Sequence, residues 1–322
     1  MRAAVVLLAY AVFLGAGAAR WLRRSAWVER APRLGVLAWQ VATAGLVVSV
    51  TLAGLAVATP SSKLSGDLAD LLQACVMALR AQYATPGGAA VSATGAVLVL
   101  GMLGRIGYCL VATLRSATRE RRAHLQTLAL IGRTDASTDA VILSHTQPAA
   151  YCLPGRRGQI VLTSAALDRL GTAELRAVLA HERAHLRARH DLAVTAATAL
   201  TRAFPKIPVL RVARDEIARL AELAADDAAC RAAGRLPMAE ALLTVAGSKI
   251  PAPALAVGGS HTGRRIRRLL KPAAPLGRVR TASVLLLAGV ALVLPLGVAA
   301  EPALAAQHLN YCPVATAPPV NG

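Results

Sequence analysis

His181, Glu182 and His185 stand in the run His-Glu-Arg-Ala-His. On a helix, residues i and i+4 share a face, so the two imidazoles would converge on one point. Two imidazoles at this spacing suit a single Zn2+, and the adjacent carboxylate of Glu182 can reach a water on that metal. Catalytic zinc takes three protein ligands and keeps a fourth position for water. The third ligand has to come from another element. The candidate is Glu222, in Glu222-Leu223-Ala224-Ala225-Asp226-Asp227. Asp226, one turn on, is placed to accept a hydrogen bond from a ligating histidine and fix its ring; Asp227 is its rival by helical phase. The expected chemistry is zinc-assisted hydrolysis of a peptide bond, one Zn2+ per chain, with Glu182 as general base.

The elements that must hold these residues are legible from caps, breakers and periodicity. Arg119–Ile131 continues a helix from the apolar run before it. Ala140–Leu143 and Gln159–Thr163 read as strands, with a turn at Gly155–Gly158 between them. Ser164 is expected to cap a short helix, and Thr172 to cap the next, over about 173–189. In that helix Leu175, Val178, Leu179 and Leu186 supply an apolar face. Pro205 and Pro208 punctuate a loop. A helix over about 212–233 stops at Gly234, another covers about 237–246, and Pro251–Gly259 reads as a linker. His190 and Asp191 are expected to brace the helix end, where a histidine suits the dipole. His124 and His145 are expected at the surface. The strand Gln159–Thr163 is a candidate edge on which an extended substrate could pair.

The chain as a whole is very apolar: 322 residues, 55% hydrophobic, with a mean hydropathy of +0.50. The excess collects in four runs, about 3–19, 34–58, 89–114 and 281–300, each near the ~20 residues that cross a bilayer as a helix. The first run could instead be a signal peptide, with Ala16-Gly17-Ala18 as its cleavage site. Its flanks favour a span: Arg2 precedes it, while Arg20, Arg23, Arg24, Arg30 and Arg33 follow. Arg115–Arg122 and Arg264–Arg280 are also basic; the loop 59–88 balances, and the tail 301–322 has no Lys or Arg. The positive-inside rule then puts both termini outside and 115–280 in the cytoplasm. Arg105, inside the third run, would snorkel to the inner headgroups. The basic run Arg264-Arg265-Ile266-Arg267-Arg268 reads as a juxtamembrane anchor to anionic lipid.

The net charge of +19 is explained by these flanks, and no direct nucleic-acid partner is expected, since no binding motif accompanies it. The five cysteines lack Cys-x-x-Cys spacing, which excludes a cysteine zinc site. Cys75 and Cys312 would both face outside, where a disulfide between them could persist. The Ala-, Arg- and Val-rich composition fits a GC-rich, bacterial coding sequence. The fold expected is a mainly α membrane protein: three spans over 1–114, a cytoplasmic α+β domain over 115–260, a basic segment 261–280, a fourth span and an outer tail.

Tyr151-Cys152-Leu153-Pro154-Gly155, Ile160-Val161-Leu162-Thr163, Leu179–His185 and Glu222–Asp226 together resemble the BlaR/MecR-type membrane metalloproteases. They are also similar to HtpX-like and CAAX-processing membrane proteases. The resemblance implies a gluzincin-type zinc protease domain with two His and one Glu as ligands. It also implies cytoplasmic proteolysis at the bacterial cell membrane, often of a winged-helix BlaI/MecI-type repressor. Beta-lactam sensors of this group carry a penicillin-binding domain after the last span. Here 22 residues follow Ala300, so antibiotic sensing by such a domain is not expected. Three roles stay open: a regulatory protease that cuts a repressor, a quality-control protease for membrane proteins, and a receptor whose zinc is only structural.

Overall fold

A computed structural model describes residues 2–58, 88–155, 158–247, 261–271 and 274–308. The expected Cys75–Cys312 bridge, most of the loop 59–88 and the linker Pro251–Gly259 lie outside the described residues. Helices α1 (Arg2–Arg24), α2 (Trp27–Arg30), α3 (Pro32–Ala58) and α4 (Gly88–Ile131) come first. Strands β1 (Gly132–Asp135), β2 (Ala140–Leu143), β3 (Ala150–Leu153) and β4 (Gln159–Thr163) follow. Then come α5 (Ser164–Arg169), α6 (Thr172–Ala188), α7 (His190–Ala203), α8 (Pro208–Ala233), α9 (Arg235–Gly247), α10 (His261–Leu270) and α11 (Arg278–His308).

Four helices among the described residues are long and apolar enough to cross a membrane: Arg2–Arg24, Pro32–Ala58, Gly88–Ile131 and Arg278–Ala300. They coincide with the four runs expected from sequence. The third continues through Arg119–Ile131 without a break, as its helical pattern predicts.

The chain divides into two compact units. One holds Met1–Ala18, Val41–Arg105 and Leu287–Gly322. In it Ala4, Leu7 and Ala53 are buried together, with Val57 and Val298 against them. The Tyr10 hydroxyl donates to the Ala291 carbonyl at 3.1 Å, and Ser92 Oγ to the Ala58 carbonyl at 2.6 Å. Val97, Leu98, Leu100 and Val293 point outward and are more than 60% exposed. A surface this apolar calls for a non-aqueous neighbour.

The other unit holds Ala19–Gln40 and Ile106–Leu286. It therefore joins the expected domain 115–260 to the basic segment 261–280 and to residues 19–40. Its sheet has the order β1-β2-β4-β3, with β2 and β4 parallel and the other pairs antiparallel. This corrects the expectation for Gln159–Thr163. Both sides of β4 are paired, by β2 and by β3, so it offers no free edge. The edge beside it belongs to β3, which lacks the β-branched residues that mark β2 and β4 in the sequence. Ile160, Leu162, Ala166, Val178, Leu179 and Ala241 pack the sheet onto α5, α6 and α9.

Helix starts also differ from expectation by one residue. Thr163, not Ser164, caps α5: its Oγ1 accepts from the Ala166 N–H at 3.2 Å. Gly171, not Thr172, is the N-cap of α6, and the Glu174 carboxylate accepts from the Gly171 N–H at 3.3 Å. α8 begins earlier than expected, with Pro208 as its first residue, where a missing N–H costs nothing. It ends at Gly234, whose φ of 96° favours glycine.

Candidate metal centre

α6 and α8 carry the site. Ala177 and Ala184 on α6, and Ala221, Ala225 and Ala229 on α8, are all buried. Side chains this small let two helix backbones approach closely. Glu222 and Asp226, one turn apart on α8, thereby reach the imidazoles of α6.

His181 Nε2 and His185 Nε2 lie 3.1 Å apart. Glu222 Oε2 is 3.6 Å from His181 Nε2, and Glu222 Oε1 is 3.4 Å from His185 Nε2. Tetrahedral donors at about 2.0–2.1 Å from a zinc ion stand about 3.3 Å from one another. The three separations bracket that value, and among the described residues these three form the one His/Cys/Asp/Glu group so gathered. The donor set, two nitrogens and a carboxylate, is that of a catalytic zinc with an open position.

The surrounding charges set the protonation of each ligand. Burial pushes the His185 pKa down to about 4, so its ring is neutral at physiological pH. His181 behaves oppositely. Burial opposes its charge, but the carboxylates of Asp226 and Glu222 outweigh burial and hold its pKa up to about 9. Burial alone would raise Glu222 and Asp226. The His181 imidazolium and Arg265 outweigh it, and both carboxyls are held down to about 2. Glu182 is pushed up, first by burial.

Asp226 lies beside the first histidine. Its Oδ1 is 3.2 Å from His181 Nδ1, an oblique approach that leaves this buried nitrogen without a well-formed hydrogen bond. Asp227, the rival, faces elsewhere and pairs with Arg268 at 2.8 Å.

Two residues of the site were not anticipated. His190 Nδ1 sits 3.0 Å from His185 Nδ1. Arg189 takes a left-handed turn, φ 49°, between α6 and α7, and this folds buried His190 back onto the ligand. The expected helix brace is thus the first residue of a new helix. The second is Arg265. Its Nε and Nη2 donate to Asp226 Oδ2 and Oδ1 at 2.8 and 2.6 Å, and Nη1 lies 3.0 Å from Glu222 Oε2. The lipid-anchor reading of Arg264–Arg268 is corrected to this extent: Arg265 and Arg268 turn inward onto α8 carboxylates, because buried Leu269 docks α10 against Ala229 and Met238. The signal available in the sequence was Asp226 with no cation three or four residues away, and a later helix with arginines and leucines on opposite faces.

A cleft of about 390 Å3 opens over these groups, walled by Ala150, Tyr151 and Cys152 of β3 and by α9. Cys152 and Glu182 line this cleft together. Burial, reinforced by Glu182, drives the Cys152 thiol up to about 12, so it stays a donor.

No curated protein and no solved structure matches the chain significantly. Residues 116–216, which span the sheet and the helix of His181, Glu182 and His185, match the family model of Peptidase family M48.

Proposed function

We propose that the protein is an integral-membrane zinc metalloendopeptidase that cuts a protein substrate on the cytoplasmic side. The observation that carries this reading is the gathering of His181 Nε2, His185 Nε2 and the Glu222 carboxylate at tetrahedral spacing, with Glu182 in the same cleft. These three residues would hold the zinc. When bound, it supplies a Lewis acid that polarises water and the scissile carbonyl. Glu182 takes the proton from the attacking water and returns it to the leaving amide nitrogen. Its raised pKa suits a group that must accept a proton and then release it. An extended peptide lying on the free edge of β3 would add a strand there and be held straight for attack. A purely structural zinc would need neither the open cleft nor Glu182 within it.

The orientation rests on the basic flanks: both termini outside, with 20–33 and 115–280 in the cytoplasm of a bacterial cell. A cytoplasmic catalytic unit suits cleavage of a transcriptional repressor, and the motif resemblance favours that substrate. The match to Peptidase family M48 is equally consistent with a second reading, an HtpX-like protease of membrane-protein quality control.

Glu182→Gln separates the proton-transfer role from metal binding. It is expected to keep one zinc per chain and to lose peptide cleavage by about 10²–10⁴-fold. Full cleavage by this variant overturns the assignment. Comparing cells that carry it with wild type would show the intact substrate accumulating: a repressor for the first reading, membrane proteins for the second.

A further inference from the structure

A second hollow, of about 920 Å3, adjoins the metal cleft and is walled by α2, α8 and α10. Glu222 and Arg265 line both spaces. The acids of the hollow are already engaged: Glu29 by Arg219, Asp215 by Arg214 and Glu222 by Arg265. Arg268 is neutralised by Asp227. Four further cations of the wall, Arg30, Arg264, Arg267 and Lys271, have no carboxylate partner among the described residues. A concave wall with four uncompensated positive charges concentrates anions.

We infer that this hollow is a substrate subsite that takes acidic side chains on one side of the scissile bond. The inference rests on the peptidase reading above and adds its specificity. Arg265 marks the boundary with the metal, and Lys271 lies six residues further along the chain. Six residues of helix span about 9 Å, which an extended peptide covers in about three residues. The selected Asp or Glu should therefore fall within about three residues of the cut. A headgroup at an anionic bilayer surface would satisfy the same charges. The hollow shares the walls Glu222 and Arg265 with the cleft, and this adjacency favours a peptide already held at the metal.

The test uses the full-length Glu182→Gln protein in neutral detergent. Binding of a fluorescent peptide rich in Glu is compared by anisotropy with its Gln counterpart. The acidic peptide should bind at least tenfold more tightly, with the preference shrinking as salt rises. Adding Arg264→Gln, Arg267→Gln and Lys271→Gln should abolish the preference, while Arg264→Lys with Arg267→Lys should retain it. Equal binding of the two peptides, or a preference that survives the triple substitution, overturns the subsite. So does a triple variant that loses only its preference for phosphatidylglycerol over phosphatidylcholine vesicles. In parallel, the active protein digests a proteome-derived peptide library. Absence of any cleavage would strike the peptidase reading, whereas cleavage without Asp or Glu enrichment would strike the subsite alone.

Discussion

For His185 to offer its Nε2 lone pair to a metal, its one proton must sit on Nδ1. His190 Nδ1, 3.0 Å away, is the acceptor that holds it there. His190→Ala should therefore weaken zinc binding by about 10–100-fold, measured by chelator competition, with Glu182 chemistry otherwise intact. His181 makes the opposite demand. In the metal-free protein it is protonated, with its pKa raised from 6.5 to about 9 by Asp226 and Glu222 against the effect of burial. Zinc must displace that proton. Affinity should rise about tenfold per pH unit up to about pH 9 and level off above it, while His185, at about 4, stays neutral throughout. The same sign applies to folding without metal: the contribution of this proton is complete below pH 6.5 and disappears as pH climbs through about 9. Titration of metal binding against pH checks the first, and denaturant unfolding of the metal-free protein the second. That His181, His185 and Glu222 gather was legible from spacing along two helices. The places of His190 and Arg265 were not. One depends on a left-handed residue at Arg189 that no local pattern announces, the other on a contact between positions 226 and 265.

At the level of elements, the approach of α6 to α8 depends on alanine. Ala225 is fully buried, and its added bulk has nowhere to go. Ala225→Leu should destabilise the fold by about 1–3 kcal/mol and spread the ligands. Denaturant unfolding and zinc content would report the two effects separately. α10 contributes in the other direction. Asp226 is a buried carboxylate, and Arg265→Met would leave it short of its main cation; breaking such a pair costs about 3–5 kcal/mol. The helices of the catalytic unit were largely readable from caps and periodicity, apart from α7 and α10. The strands were only half readable. Ala140–Leu143 and Gln159–Thr163 show β-branched, apolar runs, but nothing in such a run tells a central strand from an edge. That distinction comes from β3, whose partner is settled by tertiary pairing.

On the scale of the whole chain, the four apolar helices were the most legible feature, since about 20 apolar residues leave few alternatives. The protein should remain in the membrane fraction after an alkaline carbonate wash. Single cysteines placed in 20–33 should resist an impermeant thiol reagent added to intact cells, and those in 301–322 should react. The reverse pattern would invert the orientation proposed. One consequence concerns isolation of the unit that carries the candidate metal centre. The matched stretch stops at 216, before two of the carboxylates and the arginine that neutralises them. The unit around them also draws on Ala19–Gln40, which ends inside α3. An excision confined to Ile106–Leu286 would lose part of that unit. A soluble version would have to splice two distant stretches of chain into one.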